Sequence, residues 1–335
     1  MAMQFLSDNA AAVHPKVWAA MHAADEAQSP YDGDALSQRM DAAFSALFER
    51  ECTALWVASG TAANGLALAA LVPPHGGVIC HREAHIETDE GGAMGFYTHG
   101  AKLMLIEGEG AKIAVPEMAA LVDGLRDGIH QVRPHAISIS QASEYGRVYR
   151  PEEVVAIGAF ARERGLCLQM DGARFANAVA WLGCSPAQAS CAGGVDVLAF
   201  GCTKNGGMGA DVIVLFDPEL AEIIHYRRKR AGHLQSKGRF LAAQVLALVE
   251  GGLWLDNART ANAAAQEIAS AAGSRLMHPV EANEIFVTLT TAERAALRAQ
   301  GFAFYDWGGD DARLITSWNS NPDDVAALAR ALDGL

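Results

Sequence analysis

The stretch that decides the fold is "VDVLAFGCTKNGGMGAD", residues 195–211, in which an apolar run ends at a short turn that carries Lys204. The run "VDVLAF" predicts a buried strand, because strands covered on both faces have unbroken apolar sequences. A solvated lysine, which prefers helices and open loops, is the alternative interpretation. A tight turn of small residues instead suits a reactive amine, which needs a fixed and desolvated position to attack a carbonyl.

Similar apolar runs recur on both sides of this stretch and alternate with helical patterns, as in a doubly wound α/β sheet. The predicted strands are "ALWVAS", "GVIC", "KLMLIE", "AISIS", "LCLQM", "VDVLAF" and "DVIVLF". The clearest helix is "PEEVVAIGAFARERG", residues 151–165, with proline at its first position and glycine just past its end. Another helix is predicted over "DALSQRMDAAFSALFE", residues 34–49, with Asp34 as its N-cap.

The sequence changes character after residue 250. An alanine-rich helix, "NARTANAAAQEIASAAG", is followed by the alternating segments "NEIFVTLT", "GFAFYDWG" and "ARLITSW" and by a last helix, "PDDVAALARALDG". This pattern predicts a small α+β domain. We therefore expect a large domain over residues 1–250, including the N-terminal segment, and a small domain over residues 251–335.

Composition excludes several classes of partner. The 26 basic and 39 acidic residues give a net charge of −13, which argues against nucleic-acid binding because such binding relies on basic side chains. No apolar run is long enough to span a membrane, and the N-terminus lacks the pattern of a signal peptide. The six cysteines show no zinc-site spacing, so we expect no metal, a reducing compartment and a cytoplasmic location.

Two further polar groups follow predicted strands, at the sheet edge where α/β proteins bind ligands. Ser59, Gly60 and Thr61 lie between "ALWVA" and a helical run, and a small-residue helix start can hold a phosphate. Such helix starts are also common without a ligand. Asp171 ends the strand "LCLQM", where a carboxylate serves either as an N-cap or as the partner of a buried cation.

Taken together, a phosphate cradle, a strand-end carboxylate and a strand-end lysine are what pyridoxal 5'-phosphate requires. They supply an anchor, a partner for the ring nitrogen and an amine for a Schiff base. The set is far more specific than any of its members.

The sequence resembles the fold type I pyridoxal-phosphate enzymes, and within them the low-specificity L-threonine aldolases and related β-eliminating lyases. The resemblance extends from "SDN" at residue 7 to "ARLITSW" near the C-terminus and rests on "SGTAAN", "AHIETDEGGA", "MDGARF" and "TKNGG". It implies a large domain with a mainly parallel seven-stranded sheet and a small C-terminal α+β domain.

The resemblance also implies roles for the cofactor-site residues. Lys204 looks like the Schiff-base lysine, and Asp171 like the partner of the pyridinium nitrogen. His85 resembles the histidine that stacks on the pyridine ring, and Glu90 is the acidic residue of the same motif. The phosphate loop corresponds to Ser59, Gly60 and Thr61.

The substrate side is implied in the same way. Arg174 and Arg313 match the family's arginines near the substrate carboxylate, where a planar, permanently charged guanidinium is well suited. Arg174 also counts among the residues around the cofactor. Ser7 matches a residue of the same pocket, and Tyr31 lies in "YDGD", similar to the family's Tyr-Gly-Asp-Asp segment.

Two basic residues are expected to act between subunits. Lys229 aligns with a basic residue that reaches the cofactor phosphate from a neighbouring subunit, and Lys237 is a candidate for a second charge there. The resemblance implies a homotetramer, a dimer of dimers with shared active sites.

Glu144 departs from the family pattern, because many aldolases have a histidine at this position that has been proposed as a base. The base is therefore open among His85, Glu144 and a bound water, in that order.

The expected reaction is retro-aldol cleavage of L-β-hydroxy-α-amino acids, such as L-threonine, L-allo-threonine or phenylserine, to glycine and an aldehyde. A β-eliminating or decarboxylating enzyme on the same scaffold is the first alternative. A non-catalytic α/β binding protein is the second. A nicotinamide-dependent dehydrogenase is disfavoured, since no G-x-G-x-x-G motif follows an early strand.

Overall fold

A computed structural model describes residues 2–335 of the chain. Its strands are β1 Met3–Gln4, β2 Thr53–Val57, β3 Gly77–His81, β4 Lys102–Ile106, β5 Pro134–Ser140, β6 Cys167–Gly172, β7 Val197–Phe200, β8 Asp211–Leu215, β9 Glu284–Thr288, β10 Phe302–Ala303, β11 Tyr305–Asp306 and β12 Asp311–Ile315. Its α-helices are α1 Pro15–Ala23, α2 Met40–Leu47, α3 Gly60–Leu71, α4 His85–Thr88, α5 Ala93–Thr98, α6 Val115–Asp123, α7 Pro151–Glu163, α8 Phe175–Leu182, α9 Ala221–Arg230, α10 Arg239–Val249, α11 Leu253–Ala272, α12 Thr291–Ala299 and α13 Pro322–Asp333.

Seven strands form the central sheet, in the order β2-β8-β7-β6-β5-β3-β4. All neighbouring strands pair in parallel except β8, which is antiparallel to both β7 and β2. The seven runs predicted as strands are these seven, and the predicted mainly parallel α/β fold is confirmed.

The sheet is covered on both faces, which explains its unbroken apolar strands. Within β8, Val212 and Val214 pack into one hydrophobic cluster, whereas Ile213 and Leu215 pack into another on the opposite face. Side chains alternate along a strand, so each strand contributes to both clusters.

The topology brings the functional turns to one edge. In a parallel sheet the carboxyl ends of the strands lie together, and the segments that carry Ser59, His85, Glu144, Asp171 and Lys204 all follow such ends. Because β8 runs in the opposite direction, its first residue, rather than its last, lies at this edge. The strand order therefore fixes the place of the site before any side chain is considered.

A three-stranded antiparallel sheet, β11-β12-β9, lies in the C-terminal part of the chain, as the alternating segments predicted. The N-terminal strand β1 pairs in parallel with β10, and Phe5 is buried in the core of this C-terminal part. Helix α11 contacts both α8 and α13. The domain boundary after residue 250 stays a prediction.

The helix predicted over residues 34–49 is shorter in the structure. The Asp34 carboxylate accepts the N–H groups of Leu36 and Ser37 at 3.0 and 2.8 Å, so Asp34 does cap a turn. The 3-10 segment Ser37–Arg39 follows that turn with Leu36 as its N-cap, and the α-helix begins only at Met40 with Arg39 as its N-cap. The prediction of Asp34 as the helix N-cap was therefore wrong. A side-chain cap signals where a helical turn starts but not which hydrogen-bond spacing follows.

Of the helices among residues 2–335, none is long and apolar enough to cross a membrane.

Gly158 provides a test of the packing of α7. A Cβ atom at this position would overlap the backbone carbonyl of Gly193, which belongs to a 3-10 turn and cannot rotate away. We expect Gly158→Ala to lower the free energy of unfolding by about 2 kcal/mol, despite the better helix propensity of alanine. Urea unfolding followed by circular dichroism measures this change.

The matched control for this substitution is Gly95→Ala in α5, where a Cβ would meet nothing within 4 Å. Its stability should be unchanged or slightly increased. Equal effects of the two substitutions would contradict the close approach of α7 to the turn at Gly193.

Candidate active site

A cavity of about 240 Å³ lies at the carboxyl edge of the sheet. Its lining includes seven of the residues that the sequence singled out, which come from four separate segments of the chain. These are Ser59, Gly60, Thr61, His85, Glu90, Asp171 and Lys204. The structure thus brings together the three groups that the sequence placed after separate strands.

The N-terminus of α3 forms one wall of the cavity. Ser59 is the N-cap, and its hydroxyl accepts the N–H of Ala62 at 3.3 Å. The N–H groups of Gly60 and Thr61 belong to the first turn, where a helix has no acceptors of its own. Together with the helix dipole, these N–H groups can bind an anion such as a phosphate.

Asp171 is buried, lines the same cavity and belongs to a chain of hydrogen bonds. Asn64 in α3 donates to Asp171 Oδ2 at 2.7 Å and to Glu90 Oε1 at 3.0 Å. Gln169, two residues before Asp171 on β6, donates to Asn64 Oδ1 at 3.0 Å. The backbone N–H of Ala173 donates to Asp171 Oδ1 at 2.9 Å, so both oxygens of the carboxylate accept a hydrogen bond.

His85 is fixed by Glu90. Its Nδ1–H donates to Glu90 Oε1 at 2.9 Å. This hydrogen bond is the main reason why the pKa of His85 is raised, while burial opposes the shift and the charge of Asp171 adds to it. The imidazole therefore has a defined orientation at the cavity, with its Nε2 edge left for other contacts.

The turn that carries Lys204 is anchored by Asp211, the first residue of β8. The Asp211 carboxylate accepts the N–H groups of Cys202 and Thr203 at 2.8 and 3.0 Å and the Thr203 hydroxyl at 3.1 Å. On the other side, Asn205 donates to the carbonyl of Trp254 at 2.8 Å. These contacts on both sides of Lys204 give it the fixed position that a nucleophilic amine requires.

Arg174 lies in a buried ionic cluster with two carboxylates. Its Nε and Nη2 donate to Asp8 at 2.8 and 3.0 Å, and its Nη1 lies 3.1 Å from Glu284 Oε1. Burial alone would raise the pKa of Asp8, but Arg174 and Lys204 lower it overall. Burial raises the pKa of Glu284, against the opposing charge of Arg174.

Arg313 lies close enough to this cluster for its charge to act on Glu284. Its guanidinium carbon lies 4.8 Å from the ring centre of Trp307 and 5.3 Å from that of Tyr305. Its Nε is buried without a hydrogen-bond partner among the described residues. Of the two arginines expected to bind a carboxylate, Arg174 thus contacts the acids directly, and Arg313 acts on them only through its charge.

Glu144 lies in the segment after β5, partly buried. Loss of solvation raises its pKa to about 7, and the negative charge of Asp171 adds to the shift, while His85 opposes it. In residues 2–335, no group donates a hydrogen bond to its carboxylate. The carboxyl group of Glu144 therefore accepts no hydrogen bond from the described part of the chain and has a pKa near neutral pH.

Seven of the predicted residues do not line this cavity, namely Glu144, Arg174 and Arg313, described above, and Ser7, Tyr31, Lys229 and Lys237. Ser7 caps the 3-10 turn at Asp8–Ala10 by accepting the N–H of Asn9, and Asn9 itself lines the cavity. The ammonium of Lys229 lies 4.2 Å from the ring centre of Tyr31. Of the part of the chain that is described, neither these two residues nor Lys237 contribute to the lining of this cavity.

Several site residues were not predicted from the sequence. Asn64 and Gln169 had a signal, since Asn64 ends the motif "SGTAAN" and Gln169 shares a strand face with Asp171. Asp211 had the weaker signal of an acid at the start of an apolar strand. Asp8 and Glu284 had no signal in the sequence, because each contacts Arg174 from a distant part of the chain.

The arrangement can bind a phosphorylated aromatic aldehyde. The α3 N-terminus suits the phosphate, Asp171 suits a protonated ring nitrogen, His85 can contact the ring, and the amine of Lys204 can condense with the aldehyde.

Comparison with solved structures identifies the class of fold. A threonine aldolase from Leishmania major superposes with a TM-score of 0.92 at 26% identity, covering 98% of each chain. The structure of SPT with PLP superposes with a TM-score of 0.71 over 98% of this chain and 86% of that one, at 14% identity. The protein has the fold of the fold type I pyridoxal-phosphate enzymes.

The chain belongs to the β-eliminating lyase family, which it matches over residues 4–292. It is also 44% identical to the low specificity L-threonine aldolase of Pseudomonas aeruginosa over 333 residues, 98% of this chain and 96% of that protein.

Proposed function

We propose that this protein is a pyridoxal-phosphate-dependent lyase that cleaves L-β-hydroxy-α-amino acids, L-threonine among them, to glycine and an aldehyde. The observation that carries the proposal is the convergence of the α3 N-terminus, Asp171 and Lys204 on one cavity. The relative from Pseudomonas aeruginosa, which matches nearly the whole chain, bears the name of this activity.

Pyridoxal 5'-phosphate fits the residues present. Ser59, Gly60 and Thr61 would hold its phosphate, Lys204 its aldehyde carbon, and Asp171 its ring nitrogen, with His85 against the ring. Once bound, the cofactor supplies an electron sink for bond cleavage at the substrate Cα. The hydrogen bonds of Asn64 keep Asp171 in place for this role, and Glu90 does the same for His85.

Arg174 and Arg313 would bind the substrate carboxylate, since both lie at the same buried cluster and a guanidinium matches a carboxylate well. Ser7 precedes Asp8 of that cluster. Binding of the substrate through its carboxylate and its amine fixes the orientation of the substituents on Cα. The side chain beyond Cβ is then less constrained. We therefore expect a broad range of aldehyde products.

Glu144 is our choice for the base that accepts the β-hydroxyl proton. With its pKa raised to about 7, its carboxylate is both a stronger base than an ordinary glutamate and substantially ionised near neutral pH. The imidazole of His85, in contrast, has a raised pKa and is engaged by Glu90. This reverses the order that the sequence suggested for these two residues.

The chain would act as a homotetramer, a dimer of dimers with shared sites. Lys229 and Lys237 lie outside the cavity of their own chain, which suits residues that would serve the phosphate of a neighbouring subunit. Tyr31, expected on the substrate side, lies against Lys229. An exposed apolar groove that includes Phe96 and Tyr226 offers a surface for such contacts. The six free cysteines agree with a cytoplasmic location.

Lys204→Ala is the first test of this function. The purified wild-type protein should show a visible absorption band that borohydride removes, and it should convert L-threonine to glycine and acetaldehyde. The variant should lose this band and at least about a thousandfold in activity. Lys102→Ala, an exposed lysine of β4, is the control and should behave like the wild type.

Product analysis in the same assay separates the alternatives. Formation of 2-oxobutanoate and ammonia instead of glycine would favour β-elimination. A colourless protein that does not change with added cofactor would refute the cofactor assignment.

Glu144→Gln tests the base. Because the wild-type carboxyl group is protonated below about pH 7, kcat/KM should fall as the pH is lowered through that value. The variant should lose this limb of the profile together with about a hundredfold or more in rate. Glu152→Gln, on the exposed first turn of α7, is the control. An unchanged profile in Glu144→Gln would assign the limb to another group.

Subunit complementation tests the shared site. Lys204→Ala and Lys229→Ala chains, each inactive alone, are mixed under conditions of subunit exchange. If Lys229 serves a neighbouring subunit, mixed dimers contain one intact site, and about a quarter of the wild-type activity should return. No recovery despite exchange, checked by mass spectrometry of tagged chains, would place both lysines in sites of a single chain.

A further inference from the structure

The ionic cluster around Arg174 has no spare positive charge for an incoming carboxylate. Arg174 already contacts both Asp8 and Glu284, and all three side chains are buried. Arg313 forms no ion pair with these acids among residues 2–335, but its charge acts on Glu284. Counting it, two guanidinium charges balance two carboxylate charges, so the four side chains together are neutral when all are ionised. An incoming amino-acid carboxylate would leave one uncompensated negative charge in the interior, which is costly.

The two carboxylates of this cluster differ in how firmly they hold their charge. Asp8 accepts two hydrogen bonds from Arg174 and a third from Asn283 at 2.9 Å. Glu284 has a single contact with Arg174, through Oε1, and its Oε2 is buried without a hydrogen-bond partner among residues 2–335. Protonation of Glu284 therefore breaks fewer hydrogen bonds than protonation of Asp8. The proton can go to Oε2, which has no hydrogen-bond partner in the described part of the chain.

Charged groups on several elements act on Glu284. Arg174, Lys204 and Arg313 favour its ionised form, whereas Asp8 disfavours it. Glu144 also disfavours it, because the charges of Glu144 and Glu284 act on each other. The approach is close because Gly146, at a φ of +66°, lies against the Cβ of Glu284. Burial and the two acids together leave Glu284 with a raised pKa, in agreement with the geometry.

We propose that Glu284 is the positioning residue of the carboxylate site: it holds Arg174 when no substrate is present and takes up one proton when an amino-acid carboxylate binds. The proton cancels the charge that the ligand brings, while the contact through Oε1 keeps the guanidinium in place. This inference rests on the proposed function, since it takes Arg174 and Arg313 as the carboxylate ligands.

The test is calorimetry of glycine binding to the holoenzyme in two buffers that differ in ionisation enthalpy, which yields the protons taken up per site. At about pH 8.5, wild type should take up close to one proton more than Glu284→Gln. Proton changes at the amino group and at Lys204 occur in both proteins and cancel in this difference. Glu144→Gln is the matched control, because it removes the neighbouring acid and should retain the uptake.

A kinetic measurement separates positioning from a merely structural role. In wild type the KM for L-threonine should rise with pH, by up to about tenfold per unit once Glu284 is ionised in the free enzyme. In Glu284→Gln, whose amide imitates the protonated form, KM should be nearly independent of pH in that range and kcat should change little. A variant that is only misfolded would lose kcat instead.

Each remaining outcome has a defined meaning. Equal proton uptake in wild type and Glu284→Gln, or uptake lost only in Glu144→Gln, would overturn the inference while leaving an active aldolase intact. If Glu284→Gln does not fold, wild type alone decides, since uptake that does not rise between low and high pH excludes the proposal. A wild type that neither binds glycine nor cleaves L-threonine would refute the proposed function, and the inference with it.

Discussion

The site depends on one constraint, the burial of the Asp171 carboxylate at the end of β6. A buried carboxylate must be hydrogen-bonded, and here the Asn64 amide and the N–H of Ala173 meet that need. Asn64 lies on α3, so the contact also fixes the helix whose N-terminus faces the cavity. The same amide binds Glu90, which in turn orients His85. The burial of this one carboxylate thus helps to fix the α3 N-terminus, Glu90 and His85 around the cavity.

The antiparallel strand β8 contributes the second half of this arrangement. Its reversed direction brings its first residue, Asp211, to the edge where the parallel strands end. There the carboxylate accepts two backbone N–H groups from the turn that carries Lys204. Gly201, three residues before Lys204, follows from the same geometry, because a Cβ there would overlap the backbone of Ala173, two residues after Asp171. The two functional turns can approach each other only if this residue is glycine.

The sequence was sufficient for the sheet and for the strand-end residues, because both depend on local patterns. Apolar runs identified all seven strands of the central sheet. The carboxyl ends of parallel strands lie at one edge, so the polar groups that follow these strands lie close together. The cluster of Asp8, Arg174 and Glu284 could not be found in this way. Its members are 166 residues apart in one pair, and nothing in the local pattern of any of them indicates the others. The length of the helix near Asp34 was missed for a different reason, since α and 3-10 turns share their capping residues.

The acids that the sequence did not connect change how the carboxylate site is understood. The two arginines alone would form a strongly positive pocket, open to any small anion. With Asp8 and Glu284 beside them, the pocket is neutral, and an anion is accepted only together with a compensating charge. On the inference above, the proton that Glu284 takes up supplies this charge, so binding of a carboxylate is coupled to pH.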